Sequence, residues 1–257
     1  MSAPSGFMLW GQFLHSLRSY SSTSQEELDS FLSQGQYEEA ADLLLQDMGK
    51  PLFDERIEHD LRVEEPGAIA GAVRLLPELF PDLVLTTNLD DVLENTYEAS
   101  EKRLIEILVG QEVERYRQLH SKGRSILMKL HGDCSRDAGR VLGVDEYNRA
   151  YASGGPASDS LALLYRTHPL LWLGCSLTLD RTVQLVGDVV GGDAKAPRHF
   201  AFLQAPDDDS DRALREKELT QRHIFPIWYE GDHDESIESL LVGILDSLGR
   251  FSPGGGQ

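Results

Sequence analysis

The chain has 257 residues, with 43 Asp plus Glu against 24 Lys plus Arg and a formal charge of −19. A chain of this length buries roughly 70 to 75% of its unfolded surface, so it holds a core without disulfide or metal staples as one large domain or two small ones. The acidic balance argues against direct nucleic-acid binding, which draws its affinity from clustered Lys and Arg, and no apolar stretch approaches the roughly 20 residues of a membrane helix.

Both ends are small and polar. The first six residues and the tail Ser252-Pro253-Gly254-Gly255-Gly256-Gln257 have little apolar surface to offset ordering entropy, and both are expected to be mobile. From Ser24 to about Leu76 the pattern is helical. Ser24 with Glu27 reads as a capping box ahead of Leu28, Phe31 and Leu32. Tyr37, Ala41, Leu44, Leu45 and Met48 fall on one helical face, so this stretch predicts a small helical layer.

Beyond it, short apolar runs alternate with longer helical segments. The runs are 83–87, 125–130, 170–173, 199–203 and 224–229, and apart from Lys129 and His199 they lack polar alternation, as strands covered on both faces do. Pro226 demotes the last run to an edge, because proline cannot donate to a central ladder. Val92, Leu93, Thr96 and Tyr97 share a helical face, and a second helix follows from Leu161 to Tyr165. The acidic run Asp207-Asp208-Asp209 reads as a solvated turn. Ile237, Leu240, Leu241, Ile244, Leu245 and Leu248 mark a last helix, opened by Asp232 with Glu235 and closed by Gly249. This alternation predicts an α/β fold: a Rossmann-like open, mostly parallel sheet with helices on both faces and the small helical layer beside it. The two cysteines, Cys134 and Cys175, suit a reducing compartment, and a cytoplasmic location is expected.

Ligands of an open parallel sheet bind outside the carboxyl ends of its strands. Three runs end there in polar clusters: Thr86-Thr87-Asn88-Leu89-Asp90-Asp91, His131-Gly132-Asp133 and Gly174-Cys175-Ser176. Parallel neighbouring strands would bring the three clusters to one crevice. Each residue carries two readings. Asn88 is either a helix N-cap or an amide that orients a water or sugar hydroxyl, while Asp90 and Asp91 suit a helix's first turn better than a metal. His131 is either structural or a general base at the mouth of the sheet, with Gly132 letting a ligand close. Gly174-Cys175-Ser176 is either an ordinary turn into a helix from about Leu179 or a small-residue platform against a ribose or phosphate. The other histidines show no paired ligand spacing and no CxxC pair exists, so no zinc is expected. Neither a GxSxG elbow nor a P-loop motif occurs, and serine-hydrolase and P-loop chemistry lose their support.

At these residues the chain resembles a bacterial sirtuin-like domain, of the branch found in antiviral defence proteins that hydrolyse NAD. The resemblance rests on Thr86-Thr87-Asn88-Leu89-Asp90, Lys129-Leu130-His131-Gly132, and Leu173-Gly174-Cys175-Ser176-Leu177 followed by Asp180. Val141-Leu142, Tyr147 and the run 224–229 add weaker matches, in the family's order. The expected organisation is one domain over 1–257, with the helical layer at 24–76, the Rossmann-like core at 77–250 and a flexible tail at 251–257. The resemblance implies Asn88 and His131 as the catalytic pair, with Thr87, Asp90, Gly132, Gly174 and Ser176 in the binding pocket of NAD, which serves as substrate.

The implied chemistry is loss of nicotinamide from the ribose through a transition state with oxocarbenium character. Asn88 then orients the ribose or the attacking water, and His131 takes a proton. With water as acceptor the products are nicotinamide and ADP-ribose. Deacetylating sirtuins usually carry a four-cysteine zinc module, which two cysteines cannot build, so hydrolysis or a transfer without a peptide substrate is favoured. The family's first strand and its Gly-Ala-Gly-x-Ser turn have no counterpart here, since Ser5-Gly6-Phe7-Met8-Leu9-Trp10 resembles only the stretch that follows them. A bare slot in the sheet predicts a homo-oligomer or a partner defence protein. The alternative is a catalytically inactive sirtuin-like module, acting as a nucleotide sensor or as a subunit of a defence complex.

Overall fold

The computed structural model describes residues 1–63, 69–100, 102, 106–136, 139–152, 155–175, 177 and 196–249. The predicted tail at 251–257 and the predicted helix start at Leu179 lie outside the described residues. The elements begin with α1 (Trp10–Leu17), α2 (Gln25–Ser33), α3 (Tyr37–Met48), α4 (Lys50–Asp60) and α5 (Leu76–Leu79). There follow β1 (Leu83–Thr86), α6 (Val92–Ala99), β2 (Glu106–Val109), α7 (Tyr116–His120), β3 (Ile126–Lys129), α8 (Val144–Tyr151) and α9 (Pro156–Thr167). The last are β4 (Leu171–Trp172), β5 (His199–Gln204), α10 (Asp209–Thr220), β6 (Ile224–Tyr229) and α11 (His233–Ser247). Two compact units result: Ser2–Ala70 with Phe80–Ser160, and Met1 with Gly71–Leu79 and the residues from Leu161 onward.

The first unit holds the helical layer. Ser24 caps α2 by accepting from the Glu27 amide. Phe13 and Leu14 of α1, Leu28 of α2, Leu44 of α3 and Phe53 of α4 pack into one core that also takes in Leu89, Cys134 and Leu142. The layer thereby grips the loops after β1 and β3. Tyr37, expected on the buried face, is exposed, and Ala40 turns inward instead. The first residues are held in place, contrary to expectation: Ser2 is buried, and Ser5 Oγ exchanges hydrogen bonds with the Ala70 backbone.

β1, β3 and β2 form a parallel sheet in that spatial order. The predicted runs omit β2, whose apolar pattern Glu106 interrupts. Central β3 is buried at every position, whereas β1, an edge strand among the described residues, stays half-buried along its length. Leu127 of β3 has no exposed surface, so Leu127→Ala is expected to cost about 2–5 kcal/mol through lost transfer energy and the cavity left behind. Urea unfolding measures it, and a loss under about 1 kcal/mol would show that the sheet collapses onto the gap.

In the second unit β4, β5 and β6 form another parallel sheet, with Pro226 on edge strand β6 as predicted. The acidic run at 207–209 is more than a turn, because the Asp208 carboxylate accepts from the Ser210 and Asp211 amides and caps α10. Asp232 likewise accepts from Asp234 and Glu235 at the start of α11, which buries Ile237, Leu241 and Leu245 and leaves Leu248 exposed past its end. Parallel strands flanked by helices establish the α/β, Rossmann-like class. The expectation of three neighbouring strands holds for β1 and β3, while β4 pairs in the other sheet.

Candidate functional site

The register that pairs Thr86 with Lys129 brings the loops after β1 and β3 out side by side. Thr86 Oγ1 accepts from the Asn88 amide at 3.0 Å and turns the chain out of β1. Leu89 then plunges into the helical core, leaving Asn88 exposed and Asp90 buried. Asn88 does not cap α6. Asp91 holds the N-cap position without a side-chain cap and accepts instead from the Val63 amide at 2.7 Å, while Asp90 Oδ1 accepts from the Val92 amide, the first of the helix, at 3.2 Å. Asn88 Nδ2 donates to Ser2 Oγ at 3.0 Å and to Asp90 Oδ2 at 3.2 Å, so Oδ1 remains as acceptor, with no donor to it among the described residues. Burial pushes the Asp90 carboxyl up from its ordinary range, against the pull of Ser2, the Val92 amide and Lys129. Thr87 is half-buried.

His131 sits at the end of β3 with both ring nitrogens in contact with tyrosine hydroxyls. Tyr151 Oη lies 2.8 Å from Nε2 and Tyr147 Oη 3.1 Å from Nδ1. A neutral imidazole has one N–H and one lone pair, so one hydroxyl accepts and the other donates. The tyrosines stack on each other one helical turn apart and meet the imidazole edge-on. Their helix, α8, is fixed at its start: Glu146 accepts from the Leu142 and Gly143 amides, and Asp42 of α3 accepts from the Val144 amide at 3.0 Å. A Cβ at Gly143 would fall 1.8 Å from Asp42 Oδ1, so a side chain there would displace the carboxylate that holds the Val144 amide. Gly132, with φ +108°, permits the close approach of Arg140, whose Cα would lie 2.8 Å from an added Cβ.

Beneath both loops lies Lys129, with no exposed surface. Its Nζ lies 2.7 Å from Glu94 Oε1 and 2.6 Å from Asp133 Oδ2, and it also donates to the carbonyls of Leu89 and Asp90. One ammonium faces two carboxylates. Burial disfavours charge on Asp133, but hydrogen bonds from Lys129 and Ser135 outweigh it and hold the carboxyl at about 2. Burial pushes Glu94 to about 7 despite Lys129, with the Asp133 charge adding to the rise. The folded state therefore holds the Glu94 proton more tightly than the unfolded chain. That contribution to stability is complete below the ordinary value of 4.5 and is lost as pH rises through about 7. Glu94→Gln is expected to flatten this decline in urea-unfolding free energies between pH 5 and 8, and a slope equal to the parent's would refute the assignment.

Of the expected site residues, Thr87, Asn88, Asp90, His131 and Gly132 come together in the first unit. Gly174 belongs to the second, where its φ of +66° makes the turn after β4, and Ser176 and Asp180 lie outside the described residues. Tyr151, Glu94 and Ser2 were not expected from sequence; the spacing of Tyr147 and Tyr151 is the one local signal that could have marked a pair on a single helix face. Among the described residues no group of three or more His, Cys, Asp or Glu gathers as metal ligands. Burial pushes the Cys134 thiol up to about 12, which keeps it protonated. No described helix is long and apolar enough to cross a membrane.

No curated protein matches the chain. The family model of the SIR2-like domain matches residues 82–227, from the residue before β1 into β6, and so spans all three strand-end clusters. With more than half of its length matched, the chain belongs to the SIR2-like domain family.

Proposed function

We propose that this protein consumes NAD, cleaving the bond between nicotinamide and ribose to give nicotinamide and ADP-ribose. The observation that carries the reading is the pairing of Asn88 and His131 on adjacent parallel strand ends, within the motifs of a SIR2-like domain. In the hydrolysis the C1′–N bond breaks with its electron pair leaving on nicotinamide, an oxygen of water bonds to C1′, and the water gives up a proton. Asn88 Oδ1, its amide held by Ser2 and Asp90, orients the ribose hydroxyls or the water. The proton passes to His131, directly or through the hydroxyl of Tyr151 or Tyr147 that donates to its bare nitrogen.

Incubation of the purified protein with NAD, with chromatography of nicotinamide and ADP-ribose, tests the reading. Equimolar release of both supports it, and release of neither refutes it. A second reading, a noncatalytic nucleotide-sensing module, is favoured by the engagement of both His131 ring nitrogens and of the Asn88 amide. Binding of NAD without turnover would establish that second reading. A role in antiviral defence rests on the resemblance of the motifs, and phage challenge of cells expressing the parent or His131→Ala chain tests it. Protection with NAD depletion only in the parent is the supporting result.

A further inference from the structure

We infer that Lys129 is a positioning residue that sets the relation of Asn88 to His131 by crosslinking the two loops that carry them. The inference rests on the NAD-cleaving reading above and adds to it the group that holds its machinery in register. Lys129 and His131 lie two residues apart at the end of one strand, so the root of the side chain is rigid with respect to the imidazole. Its far end reaches across to the neighbouring strand's loop, where Nζ donates to the Asp90 carbonyl at 2.7 Å and the Leu89 carbonyl at 3.2 Å. These acceptors are main-chain atoms of the two residues that follow Asn88, and Asp90 in turn holds the Asn88 amide.

Three further contacts close the frame. Asp133, two residues beyond His131, takes the ammonium at 2.6 Å, and the Cys134 amide donates to the Leu89 carbonyl at 2.8 Å. Glu94, on the helix that leaves the Asn88 loop, takes it at 2.7 Å. The loop after Asn88, the helix it leads into and the loop after His131 thus meet at one buried nitrogen. Stability alone is a weak reason for such an arrangement, because a buried ion pair is often matched or exceeded by apolar residues of similar volume. Geometry is the stronger one, since a misplacement of about 1 Å in a catalytic group costs on the order of 10²-fold in rate.

The test compares the parent with Glu94→Gln, which keeps the ammonium, and with Lys129→Met/Glu94→Gln, which removes it together with one of its carboxylates. Exposed Lys122→Met serves as the control. The double variant is expected to fold, shown by circular dichroism and a cooperative melt, and to bind NAD within about threefold of the parent, yet to lose kcat by on the order of tenfold or more relative to Glu94→Gln. A folded double variant whose kcat equals that of Glu94→Gln overturns the inference. Should the double variant not fold, Asp133→Asn gives the reading, because it loosens the same ammonium without removing it. Its kcat then falls with NAD affinity held, and an unchanged kcat overturns the inference. A parent without NAD cleavage defeats the functional reading but not this one, which is then decided by NMR. The Asn88 side-chain amide and the His131 ring nitrogens shift together in whichever of the two variants folds if the crosslink positions them, and stay at parental frequencies if it does not.

Discussion

His131→Ala and Asn88→Ala are each expected to lower NAD cleavage by on the order of 10²- to 10⁴-fold while leaving the fold intact. The two residues contribute differently, and the kinetics separate them. His131 receives the proton, so its loss falls on kcat. Asn88 orients ribose or water through Oδ1, so its loss raises KM as well wherever the ribose contact exists in the ground state. Neither change disturbs the core: Asn88 is exposed, and the hydrogen bonds of His131 run to two hydroxyls at the edge of α8. The tyrosines sharpen the test. If one of them relays the proton, its change to Phe costs kcat by about tenfold or more and the other change costs little. Equal small losses in both would leave the pair with the task of holding the imidazole. Release of nicotinamide at saturating NAD, beside thermal melts, measures all four variants, and full turnover by His131→Ala or Asn88→Ala would sink the catalytic assignment.

Much of this was legible in the sequence because the signals are local. Ser24, Asp208 and Asp232 each carry a cap within three residues of the amides they satisfy, although in sequence Asp208 reads only as part of an acidic turn. The runs that became β1, β3, β5 and β6 are apolar without interruption or nearly so, and the strand-end motifs led to the family. What escaped depends on residues far apart in the chain. Asn88 looks like a cap until Asp90 is seen to satisfy the first helical amide and Ser2, 86 residues away, to hold the Asn88 side chain. Lys129 stands out only as a charge within a buried run, and its meaning lies in partners 35 to 40 residues upstream. Which of Glu94 and Asp133 keeps its proton is settled by desolvation and by the Ser135 hydrogen bonds. No pattern of residue types encodes those surroundings.

Arg140→Met is expected to destabilise the first unit by about 3–5 kcal/mol, the range for removing one partner of a buried charge pair. The Arg140 side chain is 3% exposed; Nη1 meets Asp54 Oδ1 at 2.5 Å, and Nε and Nη2 donate to the carbonyls of Asp133 at 2.9 Å and Cys134 at 2.7 Å. Methionine fills much of the volume but leaves the two carbonyls without these donors and, among the described residues, leaves Asp54 paired with the more exposed Lys50. If the unpaired carboxylate carries most of the cost, Arg140→Met/Asp54→Leu recovers a substantial part, and the recovery measures the coupling. If the stranded carbonyls dominate, the double variant is no more stable than the single one. The consequence also reaches the site, because those carbonyls belong to the loop that follows His131 and the Arg140 backbone packs over Gly132. Activity measured where Arg140→Met is still fully folded should therefore fall, whereas an arginine that only supports the fold would leave turnover by the folded fraction unchanged.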